Sequence, residues 1–110
     1  MKQAPIELVE AAGNITLENR DADSQFVLKR PSSMMYRRFK SDIANSNIDI
    51  RMAATTRLVQ ATIVWPDWVT FEREFVENGF PVLTDTLAEA VIRMSGGVTS
   101  EAQKKTMLDV

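Results

Sequence analysis

The stretch WPDWVTFEREFVENGFPVLTDTLAEAVIRMSGG, residues 65–97, decides the fold class. Its apolar side chains recur at helical spacing, and its prolines and glycines fall where helices begin and end. Trp68, Phe71 and Phe75 stand at i, i+3 and i+7, with Val69 and Val76 widening the stripe, so one face of a helix is apolar. Pro66 opens that helix, Asp67 suits its positive N-terminal end, and Asn78-Gly79 closes it with residues that tolerate left-handed backbone. After the stiff joint Phe80-Pro81, the positions of Leu83, Leu87, Ala90, Val91 and Met94 define a second amphipathic helix, stopped by Gly96-Gly97. Thr86 and Glu89 have the spacing of a capping box while Leu83 asks for an earlier start, which leaves the first residue of this helix open. Large apolar side chains on elements too short to bury them fully point to a protein that works by contact with another protein.

Upstream, the pattern stays helical as far as Pro31. A helix is predicted from about Asp49 to Val64, with Ile50, Ala54, Leu58 and Ala61 in one stripe and Met52, Val59 and Ile63 beside it. Its end, Ala61–Val64, is apolar nearly all round, as expected of the most buried helix, although the β-branched run Thr62-Ile63-Val64 blurs where it stops. Pro31 starts another helix, in which Met35, Phe39 and Ile43 recur every four residues beside Tyr36. Arg37, Arg38 and Lys40 flank this stripe, and the helix ends in the turn-rich run Ala44–Asn47.

Before Pro31 the period changes to two. Ile15–Glu18 alternates as a strand does, Asn19–Ser24 is a polar loop, and Gln25–Arg30 places Phe26 and Leu28 on one face with Val27 and Lys29 on the other. An isolated hairpin is marginal, so this one must lean on helices or on another chain. Residues 1–14 read as a leader in which Ile6, Leu8 and Val9 form a brief helical or extended piece ended by Gly13-Asn14. Residues 98–110 read as a polar tail with Met107 and Leu108 as its large apolar side chains. The expected fold is therefore mainly α: a small four-helix domain over residues 15–97 with a short N-terminal β-hairpin packed on it.

Composition narrows the chemistry. The 110 residues suffice for one domain. The sequence has neither cysteine nor histidine, which removes disulfides, thiolate metal sites, the commonest general base and the commonest transition-metal ligand together. Glu72, Glu74 and Glu77 have the spacing of a solvated helix face, and Asp21-Ala22-Asp23-Ser24 starts like a calcium loop but lacks its central glycine and closing glutamate. The four glycines match neither dinucleotide nor P-loop spacing. An enzyme, a metal and a cofactor are thus not expected. No apolar run approaches the ~20 residues of a membrane span. Glu7 and Glu10 interrupt the apolar run a signal peptide needs, so an intracellular, cytoplasmic protein is expected.

The net charge of −2 argues against a dedicated nucleic-acid binder, but the charge is unevenly placed. Residues 1–28 hold two basic and five acidic side chains, residues 29–57 seven and two, and residues 66–94 two and six. Such blocks pair within one fold or between subunits, where complementary patches steer association. The basic run Lys29-Arg30…Arg37-Arg38-Phe39-Lys40 is the best nucleic-acid candidate, with Tyr36 and Phe39 as stacking residues; helical spacing assigns Phe39 to the core instead. Met34, Met35, Met52 and Met94 suit either core filling or a surface that accepts varied apolar partners, and Trp65 and Trp68 flank Pro66 as potential anchors.

The order of these features resembles phage tail assembly chaperones, the small proteins encoded just before the tape measure protein in long-tailed phages. The residues that carry the resemblance are Phe26-Val27-Leu28-Lys29-Arg30-Pro31 leading to Arg38-Phe39, then Ala61-Thr62-Ile63-Val64 followed by Pro66-Asp67, then Phe80-Pro81 and Leu83…Leu87-Ala88-Glu89-Ala90-Val91-Ile92, closed by Ser95-Gly96-Gly97. It covers roughly residues 25–97. The resemblance implies a non-enzymatic chaperone, acting in the host cytoplasm, that covers hydrophobic helices of a tape measure protein and helps recruit tail tube protein. It also implies a homo-oligomer, and a frameshift-extended form for which Gln103-Lys104-Lys105 is a compatible site. In that reading Trp65, Trp68, Phe71 and Phe75 face a partner or a subunit, while Arg37, Arg38 and Lys40 meet acidic patches such as Glu72 and Glu77 of a neighbour. The alternative is a small phage or bacterial regulator that binds a host protein or nucleic acid through the basic helix 31–45.

Overall fold

A computed structural model describes residues 1–95; Gly96-Gly97 and the tail 98–110, with the expectations attached to them, lie outside the described residues. The elements run α1 (Ile6–Glu10), β1 (Asn14–Asn19), β2 (Ser24–Lys29), α2 (Ser33–Ile43), α3 (Ile48–Thr62), β3 (Ile63–Trp65), α4 (Trp68–Phe71) continued as a wider π-helical turn (Glu72–Val76), and α5 (Val82–Met94). The domain is mainly helical, with an N-terminal antiparallel hairpin, as the sequence pattern requires.

Local chemistry sets the helix starts. Ser32 Oγ accepts from the Met35 N–H at 3.1 Å, Asn47 Oδ1 from Asp49 at 2.9 Å, and the Asp67 carboxylate from Thr70 at 3.2 Å. Each satisfies an N–H that the first helical turn leaves without a partner. Helix α5 begins at Val82, which settles its start in favour of Leu83; Thr86 lies inside it and its hydroxyl donates to the Val82 carbonyl at 3.3 Å. The π-helical turn is held by i→i+5 bonds, Glu77 N–H to Glu72 O at 2.9 Å and Phe80 N–H to Phe75 O at 2.8 Å.

The helix predicted to reach Val64 stops at Thr62, and the next three residues are a strand. Thr62 Oγ1 donates back to the Leu58 carbonyl at 2.8 Å, closing the last turn. Beyond it the β-branched pair Ile63-Val64 extends and bonds to β2, giving a three-stranded sheet in the order β1-β2-β3. The hairpin register pairs Ile15 with Leu28 and Leu17 with Phe26, and β3 adds Ile63 opposite Leu28. This face meets the helices: Phe26 and Leu28 join Phe39, Ala54, Leu58, Val59, Phe71, Phe75, Leu83, Leu87, Ala88 and Val91 in one core. Each large apolar side chain buried there contributes about 1.5–3 kcal/mol.

The other face of the sheet is covered as well. Val27 is fully buried although it points away from the core, in a row with Thr16 and Trp65. The first residues are tied to the hairpin. Lys2 bridges to Ser24, the Ala4 N–H donates to Gln25 Oε1 at 2.9 Å, and Asn14 Nδ2 donates to the Leu8 carbonyl at 3.0 Å. The segment read as a leader is therefore tied to the hairpin at Ser24 and Gln25. Among the described residues no helix is long and apolar enough to cross a membrane.

Candidate functional site

The aromatic stripe expected to face a partner is divided by the structure. Phe71 is 0% exposed and Phe75 4%. Both pack edge-on against Phe26, with ring centroids at 5.7 and 5.1 Å, and lie 6.0 Å from each other. They are core residues and offer a partner no surface, which corrects the expectation drawn for them. The physical reason is that the short α4 lies directly over the hairpin, so a stripe too large for its own helix is covered by the sheet. Lys2 completes this corner, its Nζ 5.3 Å from the Phe75 ring centroid and 2.9 Å from Glu74 Oε1, which lowers the Glu74 pKa. Trp68 is half-buried against Phe71 at 5.6 Å, and Trp65 is half-buried in the outer row of the sheet beside Val27. The two indoles stand on different elements and do not form one patch with Phe71 and Phe75.

On α4 the exposed apolar side chain is Val69, 63% exposed, and further exposed apolar surface lies on α2 and α3. Met34 is 78% exposed and Met52 73%, and Ile43 and Ile48 are exposed at the two ends of the Ala44–Asn47 connection. That connection brings α3 back along α2 and opens a cleft of about 320 Å³ between them. Its lining has the same helical spacing on both sides: Met35, Arg38, Phe39 and Asp42 from α2, Ala54, Arg57, Leu58 and Ala61 from α3, with Gln60 at the mouth. Phe39, Ala54 and Leu58 are buried and form an apolar floor. At the rim the Asp42 carboxylate lies 3.8 Å from Arg38 Nε and 3.6 Å from Arg57 Nη1, linking the two helices.

Arg37 and Lys40 are exposed and do not line this cleft. Arg38 alone of the three basic candidates has an ion-pair partner among the described residues. Sequence reasoning missed Arg57 and Ala61 as cleft residues. The signal was present, since each sits at i+3 or i+7 from Ala54, but periodicity does not say which neighbour a stripe meets.

The arrangement offers recognition more readily than reaction. An apolar floor of two helical turns, edged by guanidinium groups, fits the apolar face of another helix. The acidic cap of α4 is fixed rather than poised: hydrogen bonds from the Thr70 hydroxyl and Thr70 N–H hold the Asp67 pKa below its usual value. Compared with protein-family models, with curated proteins and with solved structures, the chain gives no match.

Proposed function

We propose that this protein is a non-enzymatic assembly chaperone of the kind found in phage tails, one that covers hydrophobic helices of a tape measure protein and helps recruit tail tube subunits. The observation that carries the reading is the α2–α3 cleft, whose floor of Phe39, Ala54 and Leu58 is apolar and whose sides are spaced to receive a helix. Met35 in the lining and the exposed Met52 of α3 support the same reading, because unbranched thioethers adapt to differing apolar side chains along a client. The resemblance over residues 25–97 supplies the identity of the client.

Co-expression with a tape measure protein tests this. The chaperone keeps the client soluble in a multi-copy complex whose mass is read by light scattering. Ala61→Glu, which places a carboxylate at the mouth of the cleft, abolishes that rescue while leaving the helical circular dichroism unchanged. Full rescue by the Ala61→Glu variant overturns the assignment of the cleft. Failure of the wild-type chain to rescue, together with nucleic-acid binding that weakens steeply with salt, favours the regulator reading.

A further inference from the structure

Opposite charge blocks in one chain have two ways to be neutralised, inside the fold or between copies. Among the described residues no ion pair joins the basic block 29–57 to the acidic block 66–94. Arg38 and Arg57 turn to Asp42 within their own block, Arg73 and Arg93 turn to Glu74 and Glu89 within theirs, and Lys2 takes the other approach to Glu74. What remains is matched in sign and exposure. On α2, Arg37 and Lys40 are exposed and have no carboxylate within ion-pair distance among the described residues. On the acidic side, Glu77 and Asp85 are exposed at the turn into α5 and in its first turn, also without an ion-pair partner among those residues, and Glu72 is half-buried nearby in sequence. Each face also carries an exposed apolar side chain, Met34 at the start of α2 and Val82 at the start of α5.

We propose that the outer face of α2, centred on Arg37 and Lys40, docks the acidic segment Glu72–Asp85 of a second copy of this chain. The occupant follows from charge complementarity: the chain itself displays the surface its basic face requires. Unpaired charges of opposite sign attract across a distance of ~8 Å at physiological salt and orient the encounter. Met34 and Val82 supply apolar area at the contact. The two patches differ, so the contact is heterologous and repeats from copy to copy unless the rotation closes a ring. It also leaves the α2–α3 cleft open, so that a row of copies can line a long helical client. The biological purpose of such a row rests on the chaperone reading; the self-association does not, and is measured on the chain alone.

The full chain is followed by sedimentation velocity as a function of concentration, at about 50 mM and about 500 mM salt. Self-association is expected at low salt and is weakened at least tenfold at high salt. Arg37→Glu with Lys40→Glu, and separately Glu77→Lys with Asp85→Lys, each weaken it at least tenfold, and mixing the two variants restores it to within about threefold of wild type. Where the lysine variant loses helical signal, Glu77→Gln with Asp85→Asn takes its place, with a loss of about threefold expected. A wild-type chain that stays monomeric at low salt overturns the proposal. So does a reversed variant that associates like wild type, or a mixture that fails to recover. Loss of client rescue in Arg37→Glu/Lys40→Glu with self-association unchanged assigns the face to the client and also overturns it.

Discussion

Two regions carry the large apolar side chains in helical stripes, and they end in opposite environments. Trp68–Val76 is aromatic, short and partly π-helical, and its Phe71 and Phe75 are enclosed by Phe26 of the hairpin. The α2–α3 pair is longer and rich in methionine; Phe39, Ala54 and Leu58 reach the core, Met35 lines the cleft, and Met34 and Met52 stay in solvent. The difference teaches that side-chain size alone does not mark a contact surface. The rings of Phe71 and Phe75 went to the interior because a sheet lay within reach to cover them. The smaller, flexible side chains were left outside because none of the described residues packs over that side of α2 and α3.

The comparison is broken most directly at Phe71. Phe71→Ala leaves a cavity between α4 and the hairpin and is expected to cost about 3–5 kcal/mol in denaturant unfolding. A loss under about 1 kcal/mol would return Phe71 to the surface, where partner contact is again open to it. A smaller effect sharpens the aromatic side. The depressed pKa of Asp67 means that its ionised form stabilises the folded state above the usual carboxylate range, and that this contribution is lost as pH falls through the lowered folded-state pKa. Asp67→Asn keeps the capping oxygen but not the charge. The wild-type advantage in thermal midpoint at neutral pH should therefore shrink below about pH 4 and vanish in stronger acid. A difference independent of pH would show that the hydrogen bond, not the charge, holds the cap. The smallest effect belongs to the methionine side: Met52→Gln should change stability by less than about 0.5 kcal/mol while weakening client rescue. Greater destabilisation would mean that Met52 is packed rather than presented.

Much of the architecture was legible. Alternation over Ile15–Glu18 and Gln25–Arg30, the four-residue recurrence of Met35, Phe39 and Ile43, and the stop at Asn78-Gly79 are local signals, and the elements fall within a residue or two of them. Strand β3 was hidden because Thr62-Ile63-Val64 continues the apolar pattern of α3, and only pairing with β2 selects the extended form. The ties of Lys2 and Ala4 to β2 were equally hidden, since they join segments distant in the sequence. At the candidate site, the exposure of Arg37, Arg38 and Lys40 followed from their places on the polar flank of α2. The fate of Phe71 and Phe75 did not, because a stripe at i, i+3 and i+7 is the same whether a hairpin or a partner covers it.

The sequence by itself determined the helical class, the hairpin, the punctuation by Pro31, Pro66 and Gly79, and the separation of charge into blocks, all properties of neighbours along the chain. Tertiary structure alone decided which apolar stripe is interior, where the α2–α3 cleft opens, and that no ion pair joins the basic and acidic blocks among the described residues. Periodicity fixes that a face exists; only packing in three dimensions, where burial of one surface competes with burial of another, fixes what that face meets.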